Sequence, residues 1–322
     1  MGVLLDGCWV AEDAQLTRDN HFLTRAAQCA KQLGNWVEPD SAANFAAAAG
    51  RYVLYASVTC PFAHRALLAR AIKGLDKHID LILTEPLSGA NGWTFAQHGL
   101  YADTELGKQA LYEVYLEHDP HFSGSPSVPV LWDRITRAIV SNRSLDIARM
   151  IDSCFEQWAE NPVELYPATR QQEIDWLIRD FETEFTRPTL IAGSTKDQNE
   201  YERVVRQLFA WFEHKEALLD QQRYLAGNTI SLVDLVVFTG LVRFDSVYHG
   251  GCLCNIRRVQ DLPNLWAYTR DIYQLPGVAA TVDIESYRQS FFLRSPVVPR
   301  RIVPLGPEID FDLPQDRGER FN

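Results

Sequence analysis

A continuous apolar run, Tyr52-Val53-Leu54-Tyr55-Ala56, passes through Ser57-Val58-Thr59 into Cys60-Pro61-Phe62-Ala63-His64 and then into Arg65-Ala66-Leu67-Leu68-Ala69-Arg70-Ala71. The first stretch reads as a buried strand and the last as a helix, so the chain turns from one into the other at Cys60. Pro61 suits the first helical position, where the N–H it lacks would have no intrahelical partner. A cysteine just before it meets unpaired backbone N–H groups and the positive end of the helix dipole. Both favour a thiolate and lower the thiol pKa. A buried, inert cysteine is the alternative reading of this junction. Spacing limits the chemistry further. Ala63 stands where a Cys-x-x-Cys pair would carry its second thiol. A lone nucleophilic thiol passes through a mixed disulfide that an outside thiol resolves. The motif therefore predicts a monothiol enzyme that borrows a small-molecule thiol.

The surrounding pattern is strand, helix, strand. Ile79–Leu83 is the second strand, Val128–Asp133 the third and Ala138–Val140 the fourth, with Arg134–Arg137 as a hairpin turn. A helix over Ser144–Ile151 follows, which makes 51–155 a small α/β domain. An excursion from Glu85 to about Ser127 has no assigned place, and residues 1–50 read as an irregular extension. From about Ala168 the period becomes helical. Ile174, Trp176, Leu177, Ile178 and Phe181 form one apolar stripe. Val204, Val205, Leu208, Phe209, Phe212 and Leu218 form another, on a helix from Tyr201 to Gln221. Ser231-Leu232-Val233-Asp234 is a capping box, with Ile230 and Leu235 as its hydrophobic staple. The helix it opens is apolar all round and should be buried. This all-helical part spans 165–292, and the Pro-rich stretch 293–322 reads as an extended tail.

The 322 residues suffice for about two domains. A net charge of −11 without a basic stripe argues against a nucleic-acid partner. No run approaches a membrane span, and the first residues lack a secretory pattern. Met1-Gly2 is followed by Asp6 where a myristoylation pattern needs Ser or Thr. Six scattered cysteines are too sparse for a disulfide framework, so reduced thiols in a cytoplasm are expected. Cys252-Leu253-Cys254 with nearby His249 has neither the spacing nor the second cluster of a zinc site, and no metal is expected.

A thiol at a strand–helix junction, a Val-Pro before a hairpin and a helical half with a buried capped helix together resemble the glutathione transferase architecture. Within it, Gly50-Arg51-Tyr52 through Cys60-Pro61 to Lys73-Gly74-Leu75, Gly92-Trp93-Thr94-Phe95 and Val128-Pro129-Val130-Leu131-Trp132-Asp133 resemble the glutathionyl-hydroquinone reductases, the Xi class. So do Arg223–Asn228, Arg243–Tyr248, Asp261–Trp266, Tyr273–Val278, Ile302–Pro307 and the N-terminal Asp6-Gly7-Cys8-Trp9. The resemblance implies a thioredoxin-like N-terminal domain, an all-α C-terminal domain and a homodimer. It implies glutathione or another low-molecular-weight thiol as cosubstrate and an aromatic, quinone-type electrophile. Cys60 is then the nucleophile that attacks the conjugate sulfur, and Tyr248 matches a tyrosine that holds and protonates the substrate. Val128-Pro129 matches a cis-proline loop that offers the Val128 backbone to the thiol, and Trp93 matches a tryptophan packed on glutathione.

The departures gather at the ligand. Phe62 replaces a tryptophan after Cys-Pro. Arg143-Ser144 replaces Glu-Ser, whose glutamate accepts the γ-glutamyl ammonium, while Ser144 remains available to a carboxylate at the helix start. Leu190 and Phe291 fall where the family has tyrosines, with Tyr287 one turn from the latter. The chain thus reads as a thiol-dependent reductase whose thiol is glutathione or, because Arg143 replaces that glutamate, another low-molecular-weight thiol. The competing readings are a non-catalytic binding or scaffold protein and a conjugating transferase. Arg143→Glu restores the missing acceptor, so its KM for glutathione should fall about tenfold, the value of one charge-assisted hydrogen bond. An unchanged KM in steady-state assays would place Arg143 away from the γ-glutamyl group.

Overall fold

The computed structural model describes residues 2–11, 33–39, 42–295, 298 and 301–321. Cys29 and the tail prolines Pro296 and Pro299 lie outside them. The chain divides into two compact units, Met1–Pro162 and Val163–Asn322. No helix among the described residues is long and apolar enough to cross a membrane.

The first unit begins with strands β1 (Val3–Leu5) and β2 (Cys8–Val10). They pair antiparallel around Asp6-Gly7, whose φ angles of 45° and 76° fit a two-residue hairpin turn. Residues 1–50 are therefore not irregular throughout. The Asp-Gly pair between apolar residues was the signal, too short for a periodicity reading. Gly7 is required here, because a Cβ would lie 2.0 Å from the Pro120 carbonyl. The hairpin docks through Leu4, which exchanges backbone hydrogen bonds with Gly124 (2.8 and 3.0 Å).

The main sheet comes next. β3 (Tyr52–Ala56) leads through α1 (Pro61–Ile72) to β4 (Ile79–Leu83), parallel to it. The excursion after β4 carries α2 (Leu111–His118) and returns as β5 (Val130–Asp133), antiparallel to β3. β6 (Ala138–Ser141) and α3 (Ser144–Cys154) complete the unit, and the sheet order is β4-β3-β5-β6. β5 starts at Val130, two residues later than expected, because register with β3 begins at Tyr55↔Val130. All five residues of β3 are buried because both faces are covered. On one face Tyr52 meets Phe155, just after α3; on the other Tyr55 meets Phe95 and donates its hydroxyl to Asp103 (3.0 Å). The excursion is thus the second cover of the sheet. Residues 33–35 run along β6: Asn142 N–H donates to Leu33 O (3.1 Å) and Asn35 N–H to Val140 O (2.9 Å). That covers an otherwise open edge.

The second unit is helical: α4 (Gln171–Phe181), α5 (Arg187–Ser194), α6 (Gln198–Leu219), α7 (Leu232–Arg243), α8 (Pro263–Tyr273) and α9 (Ile284–Arg294). α7 is buried along its whole length, as its composition requires. Its start carries the expected capping box with one further bond. Asp234 accepts the Ser231 N–H (2.8 Å), and the Ser231 hydroxyl also donates to that carboxylate (2.9 Å). Leu225 N–H and the Tyr268 hydroxyl complete its bonds, each at 2.8 Å. Trp176 does not join the apolar stripe of α4 and is 54% exposed, and on α6 Leu219 rather than Leu218 is buried.

The tail is extended, as its prolines dictate, but it is anchored and ends in a helical turn, Arg317–Arg320. Phe311 packs on Trp266 and Tyr273. Arg317 is 1% exposed and donates to the carbonyls of Leu219, Gln222 and Arg223 at 2.6–3.2 Å. It thereby satisfies carbonyls at the C-terminus of α6, where a cation is also favoured by the dipole. Arg317→Met leaves those acceptors without this donor and should cost about 3 kcal/mol. Urea unfolding reads this; a loss below about 1 kcal/mol would show that the tail is not part of the cooperative unit.

Past Arg243 the helix widens to a π turn over Phe244–Tyr248. Asp245 within it accepts Val259 N–H (2.6 Å) and Gln260 N–H (3.1 Å). Burial nevertheless pushes its carboxyl up to about 6. An unfolded aspartate titrates near pH 3.9, so this group's contribution is full below that pH and is lost as pH rises through about 6. Relative to Asp245→Asn, the wild type should lose roughly 2–3 kcal/mol between pH 4 and pH 7. Urea midpoints across that range give the difference directly, and a pH-independent gap would show that Asp245 does not titrate there.

Candidate active site

The sheet brings three segments to one end. β3 leaves it at Ala56, Val130 stands opposite Tyr55, and Leu131 stands opposite Ser141. Cys60, Val128-Pro129 and Arg143-Ser144 therefore emerge together. Cys60 is the N-cap of α1, with φ −82° and ψ 117°, and Pro61 opens the helix. The Cys60 carbonyl accepts the first intrahelical bond from His64 N–H (3.0 Å). No acidic residue lies in the first turn to oppose an anion. The thiol is partly exposed, and its sulfur lies 3.9 Å from the Val128 carbonyl oxygen. The Val128–Pro129 peptide is cis. Phe62 is 45% exposed, with the buried Arg65 guanidinium 4.8 Å from its ring centre.

Trp93 is 8% exposed, and its indole N–H meets no acceptor among the described residues. Gly92 before it has φ 68° and packs on Trp9, which stacks on Tyr112 at 4.6 Å. The Asp-Gly-x-Trp motif thus supports the loop that carries Trp93.

Arg143 is the N-cap of α3 and Ser144 its first residue. The Arg143 Nε lies 3.1 Å from Asp146 Oδ2, and an Arg149 nitrogen lies 3.9 Å from the other oxygen. A carboxylate therefore stands beside Arg143 in the same turn, shared with Arg149. The Arg-x-x-Asp spacing was the signal for this pair and was missed. Gly34, on the segment beside β6, lies against the Arg143 side chain; a Cβ there would be 3.4 Å from Cδ.

The helical unit carries the remaining residues. Tyr248 ends the π turn, and π turns inside helices recur at functional sites. Nothing in the sequence period announced it. The Tyr248 ring meets Phe291 edge-on at 6.2 Å, and its carbonyl accepts Cys252 N–H (3.0 Å) and Cys254 N–H (3.4 Å). Gly251 permits that packing, since a Cβ would lie 2.4 Å from Phe291 Cε1. Leu190, 59% exposed, lies on α5, whose Gly193 packs against Cys252. Tyr287 does not stand in for a lost phenol. Its ring is buried under the Arg243 guanidinium at 3.8 Å, and its hydroxyl donates to Thr281 O (3.3 Å). Burial pushes the thiol of Cys252 up to about 12 and that of Cys254 higher still. Cys154 is also buried and raised. These thiols lack the exposure and the lowered pKa that reactivity needs.

Residues 59–154 match the family described as glutathione S-transferase, N-terminal domain, and residues 198–271 match its C-terminal domain. Glutathionyl-hydroquinone reductase YqjG of Escherichia coli is 36% identical over all of both chains. Glutathionyl-hydroquinone reductase PcpF of Sphingobium chlorophenolicum is 34% identical, covering 95% of this chain and 96% of its own. Among solved structures, a Xi class GST from Natrialba magadii superposes with a TM-score of 0.90 at 37% identity, over 99% of this chain and 98% of that one. Glutathione-bound YqjG superposes with a TM-score of 0.88, over 99% of this chain and all of that one. The chain belongs to the enzyme family of the Xi-class glutathione transferases, the glutathionyl-hydroquinone reductases.

Proposed function

We propose that this protein reduces glutathionyl-hydroquinones, with Cys60 as nucleophile and glutathione as the resolving thiol. One observation carries the reading: the Cys60 sulfur sits at a helix N-cap, 3.9 Å from the Val128 carbonyl that precedes cis-Pro129. A thiol held by the Val128 backbone, as a short added strand would be, presents its sulfur beside Cys60.

The Cys60 thiolate attacks the conjugate sulfur. The S–S bond forms, the sulfur–aryl bond breaks, and its electron pair leaves with the ring carbon, which takes a proton. The aryl carbon is reduced and the two sulfurs are oxidised. Tyr248 is the proposed donor of that proton. A second thiolate then attacks the mixed disulfide, releasing glutathione disulfide and regenerating Cys60. Ser144 and the first N–H groups of α3 receive the γ-glutamyl carboxylate. Asp146 supports the use of glutathione, because it pairs with Arg143 and leaves the cradle without a bare cation. Trp93 packs on the thiol, and its indole N–H has a donor to spare. Phe62, Leu190 and Phe291 favour an apolar aromatic electrophile.

Cys60→Ser should reduce hydroquinone release to the uncatalysed background and leave the unfolding midpoint unchanged. Intact mass after exposure to glutathione disulfide should show one glutathione adduct, absent from the variant. Turnover at the wild-type rate in Cys60→Ser would remove Cys60 as nucleophile. No adduct and no release in the wild type would favour a binding protein instead.

A further inference from the structure

The thiol cradle is made of two segments that are distant in sequence, the loop at Val128-Pro129 and the helix start at Arg143-Ser144. The buried phenol of Tyr115 on α2 connects them. Its hydroxyl donates to the Ser127 carbonyl (2.8 Å) and accepts the Ser127 N–H (3.2 Å). It also accepts the Asn142 side-chain N–H (3.2 Å). Ser127 immediately precedes Val128, and Asn142 immediately precedes Arg143. One oxygen therefore holds the residue before each half of the cradle.

Both ends of this link are fixed by other contacts. The Tyr115 ring lies edge-on to Phe122 at 4.9 Å. Asn142 is held to the segment beside β6, accepting Leu33 N–H on its side-chain oxygen (3.2 Å) and donating its own N–H to Leu33 O (3.1 Å). A neighbouring aromatic could fill the space of the ring. The ring has no other polar atom, so its hydroxyl alone makes the bonds to the Ser127 carbonyl, the Ser127 N–H and the Asn142 side chain.

We infer that Tyr115 is a positioning residue that sets the spacing between the Val128-Pro129 loop and the start of α3, and through it the affinity for the thiol cosubstrate. Tyr115 touches neither thiol nor electrophile in this assignment. The inference rests on the proposed use of glutathione, and the test separates the two. Tyr115→Phe keeps the ring and removes the oxygen, leaving the Ser127 and Asn142 groups without it.

The first measurement is glutathione binding by calorimetry to Cys60→Ser and to Cys60→Ser/Tyr115→Phe. The dissociation constant should rise about tenfold, as for one hydrogen bond left unmade in a buried site. In otherwise wild-type protein, the KM for glutathione should rise to match while kcat changes less than about twofold. Iodoacetamide labelling of Cys60 should keep its rate, because α1 is untouched. Amide exchange is the second measurement: residues 126–131 and 141–147 should speed up together in Tyr115→Phe. Unchanged affinity alongside a lowered melting temperature would make Tyr115 a core residue only and overturn the inference. So would faster exchange in one segment without the other. If Cys60→Ser itself does not bind glutathione, the reading of the thiol fails, and exchange alone decides: paired acceleration upholds the link and its absence overturns it.

Discussion

The site depends on where β3 ends. A strand apolar on both faces cannot continue into solvent without exposing those side chains, so the chain turns at the end of the sheet, through residues 57–60 into α1. That turn fixes Cys60 at the N-cap, beside the unpaired N–H groups of the first turn. The antiparallel return of β5 beside β3 then determines which backbone faces the sulfur. Register alone puts Val128 there, since Val130 stands opposite Tyr55. The thiol and the backbone edge beside it are consequences of a single strand pairing.

Support for that pairing comes from both sides of the sheet. Asp133 at the end of β5 accepts Arg51 Nε (2.7 Å) and NH2 (2.6 Å) and the Thr136 hydroxyl (2.7 Å). It is fully buried. Burial alone would raise its pKa, but the bonds from Arg51, Thr136 and Ile135 N–H outweigh burial and hold the carboxyl below the usual range. It therefore stabilises the fold above the ordinary carboxylate pKa, and that contribution fades as pH falls toward its folded value. The ion pair clamps the β5–β6 turn to the start of β3, so the hairpin that carries the cradle is anchored at its far end.

The helical unit solves a different problem. α7 is apolar on every side and can exist only as a central helix. Gly240 lets Phe181 and Phe185 reach its backbone, with a Cβ placed 2.8 Å from both rings. Where α7 ends, the π turn carries Tyr248 to a half-buried position against Phe291. Tyr248 keeps its ring beside Phe291, whereas Tyr287 is turned into the core beneath Arg243.

Much of this was legible in the chain itself. The alternation of apolar runs and helical stripes gave the α/β unit, its strand–helix junction and the buried α7, because local periodicity reports which face meets the core. The Asp6-Gly7 hairpin and the Arg143–Asp146 pair also had local signals, a turn dipeptide and an i,i+3 spacing. Other features had none. Tyr115 and Asn142 are 27 positions apart, and their hydrogen bond exists only because the excursion folds back over the sheet. The same holds for Tyr287, whose spacing made it a candidate phenol and whose burial removed it. Sequence by itself determined the elements and the reactive residue types, since these follow from nearest neighbours along the chain. Tertiary structure decided which polar groups found partners, because a buried donor or acceptor is satisfied by whatever the fold brings within about 3 Å, at any distance along the chain.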